Sequence, residues 1–171
     1  MGYVHDTATT IFIPPSYFHK VTGTWSQAAG QVTDTICITV NDADQTSTVN
    51  IPIVVPSNSS SEKGCKLKSI EIDFEIVAGA LTSLAAVIYK ITRGADGSAA
   101  TATSVSFTYD TGHDAAGERV DVDQHKMTLT LDTAAWIDND EYYLVELTID
   151  QAGGGDVIEL LGAFANVTLR M

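Results

Sequence analysis

The clearest pattern in the chain is an alternation of apolar and polar positions over residues 66–92, KLKSIEIDFEIVAGALTSLAAVIYKIT. Successive side chains of a strand point to opposite faces, so the first half predicts a strand with one buried face and one acidic face in solvent. Residues 81–91 are apolar on both faces, which predicts an inner strand or a subunit contact. We predict that a tight turn at residues 78–80 pairs the two strands as a hairpin. The positions that define the first strand are Ile70, Ile72, Phe74 and Ile76 on one face and Glu71, Asp73 and Glu75 on the other.

The same alternation recurs along the chain, with turn residues between the segments. Pro52 interrupts one segment and predicts an edge strand or a bulged one. Helix propensity competes only over residues 156–165, where Gly162 and the neighbouring strands favour a strand. The last two segments are predicted to pair as a large C-terminal hairpin. Beyond the opening pair, strands are predicted near residues 9–13, 20–25, 33–40, 47–55, 103–109, 127–131, 143–149 and 157–169.

These segments predict an all-β fold: a single antiparallel β-sandwich of jelly-roll type with about eight to ten strands. The chain has 171 residues, which suits one well-cored domain. Pro14-Pro15 cannot continue a strand ladder, so residues 1–19 are predicted to be an extended N-terminal arm. Residues 20–171 are predicted to form the sandwich domain.

The charge of the chain limits its partners. The formal net charge is −13, which repels phosphate backbones and anionic lipids and argues against nucleic-acid and membrane binding. Hydrophobic residues make up 44% of the chain, yet no apolar run is long enough to cross a bilayer. We therefore expect apolar surface to be buried between subunits. The first residues lack the basic start and apolar segment of a signal peptide, so we expect a protein made in the cytoplasm.

The sequence offers little catalytic chemistry. No nucleophile elbow, zinc-protease motif or phosphate-binding loop is present. The glycine run at residues 153–155 lies between two predicted strands and predicts a turn. Glu71 and Glu75 share one strand face and could act as an acid–base pair on a sugar, but the polar face of a strand is usually just solvated, which is the interpretation we favour. We predict a protein that is not an enzyme, with no catalytic residues and no cofactor.

The longest irregular segment, DTGHDAAGERVDVDQH at residues 110–125, offers imidazole and carboxylate groups to a hard cation. It lacks the glycine and distal glutamate of a calcium loop, so no metal site is predicted. Cys37 and Cys65 are too few and too far apart for a zinc site or a disulfide framework. The potential ligands in the loop are His113, Asp114, Asp121, Asp123 and His125.

Four aromatic residues could form a platform for a sugar: Trp25, Trp136, Tyr142 and Tyr143. Aromatic side chains also dominate cores and interfaces, so packing is the simpler interpretation. Trp136 in particular is expected to close one end of the sandwich.

The C-terminal part of the chain resembles a group of small β-sandwich proteins of tailed bacteriophages and metagenomic viruses. The similarity begins near Leu67 and rests on SFTYDTGHDAAGERVDVDQHKMTLTL, AAWIDNDEYYLVELTID and LLGAFANVTLRM. These motifs are strands and turns rather than catalytic residues. The resemblance implies a structural protein of the virion, such as a capsid decoration or spike subunit. Its expected partners are copies of itself, for instance in a trimer, and other virion proteins.

Two other functions stay open from the sequence. The aromatic residues and acidic loops are compatible with a carbohydrate-binding or host-recognition module. A glycan hydrolase is a third candidate, although no motif supports it.

Overall fold

The computed structural model describes residues 5–30, 36–41, 45–55, 64–153 and 155–170, and they form twelve β-strands and two short 3-10 turns. The long strands follow from runs of alternating apolar and polar residues. The strands are β1 Asp6–Ile13, β2 His19–Thr22, β3 Trp25–Ala29, β4 Ile36–Val40, β5 Thr46–Ile53, β6 Cys65–Ala78, β7 Ser83–Thr92, β8 Thr101–Val105, β9 Phe107–Tyr109, β10 Gln124–Ile137, β11 Glu141–Asp150 and β12 Val157–Arg170.

Two antiparallel sheets pack face to face. The larger, seven-stranded sheet has the order β3-β4-β12-β6-β10-β9, with β1 paired to β12. The smaller, five-stranded sheet has the order β2-β5-β11-β7-β8. From β4 onward the chain crosses between the sheets at almost every step, which is the winding of a jelly roll. The predicted all-β sandwich of jelly-roll type is therefore confirmed, with twelve strands in the described residues instead of eight to ten.

The core lies between the two sheets and is built from the inward-facing residues of the long strands. The apolar positions predicted for β6 are fully buried there, and β11 contributes a matching set from the opposite sheet. Burial of these side chains is the main favourable term for the fold. The two sets are Ile70, Ile72, Phe74 and Ile76 on β6 and Tyr143, Val145, Leu147 and Ile149 on β11.

The predicted hairpin over residues 66–92 is wrong. Strand β6 pairs with β10 and β12 in the larger sheet, whereas β7 pairs with β11 and β8 in the smaller one. The turn after Ala78 carries the chain across the core instead of back along the same sheet. Because β7 lies between two neighbours, the prediction that residues 81–91 form an inner strand is confirmed.

The C-terminal hairpin is wrong for the same reason, since β11 belongs to the smaller sheet and β12 to the larger. The segment predicted as one strand over residues 103–109 is two strands, β8 and β9, with Ser106 between them. These two strands also lie in opposite sheets. Alternation along the chain is the same whether the next turn reverses within a sheet or crosses to the other one.

Part of the segment expected to be an arm lies in the larger sheet. Strand β1 pairs antiparallel with β12 over its whole length, from Asp6 opposite Arg170 to Ile13 opposite Ala163. Ile13 and Phe18 are buried in the core. Residues 1–4 of the expected arm lie outside the described residues.

Pro52 predicts an edge strand or a bulged one, but it lies in the interior strand β5, whose register with β11 runs without a shift. The ladder between β5 and β2 covers only residues 48–50 of β5, so Pro52 lies beyond the end of that ladder. A proline is tolerated there because no N–H is needed on that side. Cys37 and Cys65 are buried free thiols. In the described part of the chain, no helix has the length and apolar character needed to span a bilayer.

Candidate functional site

The outer face of the larger sheet carries the strongest concentration of aromatic, charged and hydrogen-bonding side chains. Four neighbouring strands, in the order β1-β12-β6-β10, supply these side chains from outward-facing positions. We call this surface the polar–aromatic face. It comprises Thr10, Phe12, Glu71, Asp73, Lys126, Trp136, Phe164 and Asn166.

An exposed aromatic pair stands on this face. Phe12 and Phe164 lie opposite each other in the register of β1 and β12, with their ring centroids 4.9 Å apart. Phe12 is 52% exposed. Its ring lies over the backbone of Gly162, where an added Cβ would come within 2.5 Å of the ring. Gly162 therefore lets an aromatic ring lie flat against the sheet, which a larger residue would prevent.

Beside the aromatic pair is an open depression of about 350 Å³, lined by Thr10, Glu71, Asp73, Lys126 and Phe164. Its volume is at the low end of the range typical of small-ligand pockets, roughly 300–1,000 Å³. A second depression of about 260 Å³ adjoins it and shares Asp73 and Lys126. The two depressions together make a shallow polar surface that is continuous with the aromatic pair.

Hydrogen bonds connect all four strands across the depression. The hydroxyl of Thr10 donates to Oδ1 of Asn166 at 2.7 Å, and Nδ2 of Asn166 donates to Oε1 of Glu71 at 2.7 Å. Nζ of Lys126 forms an ion pair with Oε2 of Glu71 at 2.7 Å. These three contacts together hold Glu71 in one orientation. Lys126 keeps two further N–H donors for other acceptors.

The two carboxyl groups in the depression have opposite electrostatic environments. The hydrogen bond from Lys126 is the main cause that lowers the pKa of Glu71, so this group is held as a carboxylate. Burial is the main cause that raises the pKa of Asp73; the charge of Lys126 opposes it, and the charge of Glu71 acts in the same direction as burial. Oδ1 of Asp73 has no hydrogen-bond partner among the described residues. Asp73 is therefore the polar group of this face that has most to gain from a ligand that donates a hydrogen bond.

Trp136 extends the face along the strands. It pairs with Lys66 of β6, which in turn lies opposite Thr168 of β12. Thr168 is four residues beyond Phe164, which corresponds to about 13 Å along the strand. The guanidinium of Arg170 lies 4.5 Å from the centroid of the Trp136 ring, and the ammonium of Lys66 lies 5.6 Å away.

The four aromatic residues singled out from the sequence do not form one platform. Trp25 is half-buried and its Nε1 donates to the carbonyl of Thr22, while Tyr143 is buried in the core. Tyr142 is exposed on the smaller sheet. The expectation that Trp136 closes the end of the sandwich is wrong, because Trp136 lies on the outer face and is 38% exposed.

Sequence reasoning did not identify Phe12 and Phe164, the aromatic pair of the polar–aromatic face. Phe12 alternates with Ile11 and Ile13, so its outward direction follows from period 2 once β1 is accepted as a strand. Phe164 stands two residues after Gly162, a signal for a bulge or a close approach of another group. What the sequence could not show is that β1 pairs with β12 and brings the two rings together.

The residues considered as metal ligands in the loop at residues 110–125 are only partly brought together. His113 and His125 are in contact, with Nε2 of one 3.2 Å from Nδ1 of the other. Asp121 contributes its backbone carbonyl to His125, and Asp123 accepts the N–H of Gln124 with its carboxylate. Within the residues that the structure describes, no three His, Cys, Asp or Glu side chains are grouped so that they could hold a metal ion.

No protein-family model matches the chain, and no curated protein sequence matches it. Among solved structures, it is similar to carbohydrate-binding modules of the β-sandwich superfamily, with a TM-score of 0.47 and 16% identity over 92% of this chain. The chain spans 55% of that protein's length. A family 29 carbohydrate-binding module gives a TM-score of 0.43 at 10% identity, covering 95% of this chain and 93% of the other. The enzymatically active domain of tailspike protein 4 of bacteriophage CBA120 gives 0.42 at 9% identity, covering 94% of this chain and 19% of the other.

These similarities are too weak to transfer a binding site or an activity. The class of protein that the fold itself defines is an antiparallel jelly-roll β-sandwich with an open polar–aromatic face.

Proposed function

We propose that this protein is a non-catalytic carbohydrate-binding β-sandwich that binds a neutral glycan on the polar–aromatic face. The observation that carries the proposal is the half-exposed ring of Phe12, paired with Phe164, beside a depression lined by Glu71, Asp73 and Lys126. A sugar ring has an apolar C–H face and a rim of hydroxyl groups. It therefore needs an aromatic surface and hydrogen-bonding groups next to each other.

The hydrogen-bonding capacity left in the depression fits hydroxyl groups. Oδ1 of Asp73 lacks a partner among the described residues and accepts from a hydroxyl once the side chain turns toward the ligand. Lys126 donates to hydroxyl oxygens with the N–H groups that Glu71 does not use. A group that is both donor and acceptor, as a sugar hydroxyl is, can serve both side chains at once.

Charge supports a neutral glycan rather than an acidic one. The depression contains two carboxyl groups and one ammonium group, and the whole chain has a net charge of −13. In the depression, a uronate or a sulfated sugar would be repelled by the carboxylates, whereas the cations Lys66 and Arg170 stand only at the far end of the face, beside Trp136. The openness of the face and the distance of about 13 Å along the strand toward Trp136 favour an extended chain of sugars over a single ring.

The test is isothermal titration of the protein with soluble neutral polysaccharides, namely xylan, mixed-linkage β-glucan and galactomannan, with alginate as the acidic comparison. We expect binding to at least one neutral polysaccharide and none to alginate. Phe12→Ala is expected to weaken binding about tenfold or more, because the stacking surface is lost.

Tyr142→Ala is the matched control, because Tyr142 is a comparably exposed aromatic residue, at 45%, on the other sheet. It should leave the affinity unchanged. Failure to bind any of the three neutral polysaccharides, or equal losses in the two variants, would overturn the proposal.

A second candidate function is supported by a different surface. The outer face of the smaller sheet presents half-buried apolar side chains on adjacent strands, including Pro52, Val87, Tyr89 and Leu144. We propose this as the contact through which copies of the chain would associate if it is a structural subunit of a virus particle, as the sequence resemblance implies. Sedimentation at increasing concentration tests it. Self-association that Val87→Lys abolishes supports this candidate, and a monomer at all concentrations removes it.

A further inference from the structure

The loop between β9 and β10, residues 110–123, closes one end of the sandwich and is bonded to both sheets. The N–H of Ile76, in the larger sheet, donates to the carbonyl of Asp123 at 3.0 Å. The N–H of Leu81, just before β7, donates to the carbonyl of Val120 at 3.2 Å. Nε of Arg119 donates to the carbonyl of Leu84, in the smaller sheet, at 3.1 Å. We call this segment the end loop.

Two imidazole rings are buried beneath the end loop. His113 and His125 are each only 8% exposed. The ring of His125 stacks on Phe74, with centroids 4.6 Å apart and an interplanar angle of 11°. Buried histidines need partners for their ring nitrogens, and here all four nitrogens have one.

The partners form a continuous chain between two acceptors. Oδ1 of Asp110 lies 2.8 Å from Nδ1 of His113, Nε2 of His113 lies 3.2 Å from Nδ1 of His125, and Nε2 of His125 lies 2.9 Å from the carbonyl oxygen of Asp121. Each of these three contacts is short enough for a hydrogen bond. Each therefore needs one proton between its two heavy atoms.

Counting protons gives a definite result. The carboxylate of Asp110 and the carbonyl of Asp121 accept only, so every proton in the chain must come from a ring nitrogen. Two neutral imidazoles carry two N–H groups, which satisfy two of the three contacts and leave two acceptors facing each other at the third. Three contacts require three N–H groups, which is one proton more than two neutral rings have.

We propose that the His113–His125 pair binds this extra proton and carries a single positive charge, which Asp110 neutralises, and that this charged pair fastens the end loop to the sandwich. It is a proton-binding site built into the fold, and its His125 borders the smaller depression beside the polar–aromatic face.

The charged groups around the pair are consistent with a single positive charge on it. Asp110 also accepts the N–H groups of Gly112 and Thr128. Burial raises the pKa of Asp110, but these two bonds and the bond from His113 together hold it below its usual range. Asp110 is thus a carboxylate that can face a charged ring. The one nearby cation of the end loop, Arg119, directs its guanidinium to the carbonyls of His113 and Leu84 and onto the ring of Tyr109, at 4.2 Å.

The other elements packed against the pair bring one carboxyl group and one ammonium group near the edge of His125 in the described residues. Strand β6 contributes the uncharged ring of Phe74. Strand β10 contributes Lys126 and Gln124, which line the smaller depression together with Asp73 of β6 and the edge of His125. Of these, Asp73 and Lys126 have opposite charges.

Loss of the extra proton has a defined structural consequence. The bond from His113 to the carboxylate of Asp110 is charge-assisted and is kept, and His125 then donates to His113. Nε2 of His125 is left facing the carbonyl of Asp121 with no proton between them. Without the extra proton, the end loop therefore loses its bond at the carbonyl of Asp121.

The direct test is nitrogen NMR of protein labelled with ¹⁵N-histidine, which counts the protonated ring nitrogens of each histidine. We expect three N–H groups over the His113–His125 pair. Two N–H groups, meaning two neutral rings, or four, meaning two charged rings, would overturn the proposal. So would a change in the spectrum on adding Zn²⁺ or EDTA, because a metal would then occupy the place of the central proton.

Two variants test whether Asp110 is the counter-ion of the histidine pair. Asp110→Asn removes the counter-ion and is expected to lower the count from three N–H groups to two. Asp114→Asn removes a carboxylate from an exposed position of the same loop and should leave three. Equal counts in the two variants would contradict the role of Asp110.

Hydrogen exchange measures how firmly the end loop is attached to the sandwich, and it remains usable if Asp110→Asn does not fold. His125→Phe keeps an aromatic ring on Phe74 but has no nitrogen to bind the carbonyl of Asp121. In this variant the amides of Ile76 and Leu81 should lose protection about three- to tenfold relative to the parent protein. Protection equal to that of the parent protein would refute the fastening role of the pair.

Discussion

The outer faces of the two sheets follow the same alternation of apolar and polar residues but present different chemistry. The larger sheet presents an aromatic pair, an ion pair and a depression, with Phe12, Glu71 and Lys126 as its centre. The smaller sheet presents half-buried apolar residues such as Val87 and Leu144, and its ion pair joins Lys90 of β7 to Glu141 at the start of β11. An open face that combines rings with fixed polar groups is suited to a small ligand, whereas an apolar strip is suited to another protein surface.

A second contrast lies within the larger sheet. Glu71 and Asp73 are two residues apart on one face of β6, and both line the same depression. Lys126 and Asn166 satisfy Glu71, whereas burial dominates at Asp73. A position in a strand face thus does not decide whether a carboxyl group stabilises the fold. Its neighbours on the adjacent strands decide it.

The largest effect is expected at Gly162, on which the aromatic pair depends. Gly162 has φ of 152°, and a Cβ there would collide with the ring of Phe12. Gly162→Ala should lower the free energy of unfolding by about 2–4 kcal/mol through overpacking and backbone strain. Chemical denaturation measures it.

The control for this prediction is Gly97→Ala, which also has a positive φ, of 80°, but no atom within 4 Å of the added Cβ. It should cost only the strain, about 1–2 kcal/mol. If the two variants lose the same stability, the contact between Gly162 and Phe12 contributes nothing.

The next effect concerns Glu71. The pKa of Glu71 is lowered in the folded state, chiefly by the hydrogen bond from Lys126. The carboxylate therefore stabilises the fold at pH values above the unfolded pKa. This contribution is lost as the pH falls through the folded pKa. Glu71→Gln should cost about 1 kcal/mol at neutral pH, a modest value because Lys126 is largely exposed.

The measurement for Glu71→Gln is denaturant unfolding at several pH values. The difference from the parent protein should shrink below about pH 4, where the unfolded carboxyl group is protonated. A difference that stays constant down to pH 2 would show that the ion pair is not its cause.

Asp73 should behave in the opposite way. Burial raises its pKa in the folded state, so its favourable contribution is present below the unfolded pKa and is lost as the pH rises through the folded value. Asp73→Asn should therefore stabilise the protein at neutral pH, by up to about 1 kcal/mol, and have no such effect near pH 3. A loss of stability at neutral pH equal to that of Glu71→Gln would remove the contrast between the two carboxyl groups.

The smallest effect is expected on the smaller sheet. Tyr142 is 45% exposed, and replacing it by Thr keeps a residue with high strand propensity. The free energy of unfolding should change by less than about 0.5 kcal/mol. A larger loss, measured by thermal or chemical unfolding, would mean that Tyr142 is covered in solution by another copy of the chain.

Much of the fold could be predicted from the sequence because strand alternation is local. The buried positions of β6, from Ile70 to Ile76, and the outward direction of Glu71 and Asp73 follow from period 2 alone. Pairing could not be predicted in the same way. The turn at residues 78–80 suits a hairpin and a crossing to the other sheet equally well, so the sequence predicts a hairpin of β6 and β7 although the two strands lie in different sheets.

The candidate site was harder to predict than the fold. Each of its groups comes from a different strand: Phe12 from β1, Phe164 from β12, Glu71 from β6 and Lys126 from β10. No short motif can show such a site, because its residues meet only through strand pairing. The histidine pair is similar, since His113 and His125 are close in sequence but their shared proton depends on Asp110 and on the position of the backbone at Asp121.

The sequence by itself determined that the chain is all-β, that its long strands have one apolar face, and that its charge disfavours acidic partners. These properties depend on the order of residues along single strands and on a sum of charges. Only the tertiary structure decided which strands are neighbours, since the loops permit either sheet and the lowest free energy is reached by the packing of all strands together. That choice placed Phe12 beside Phe164 and Lys126 beside Glu71, and with them the surface on which the proposed function depends.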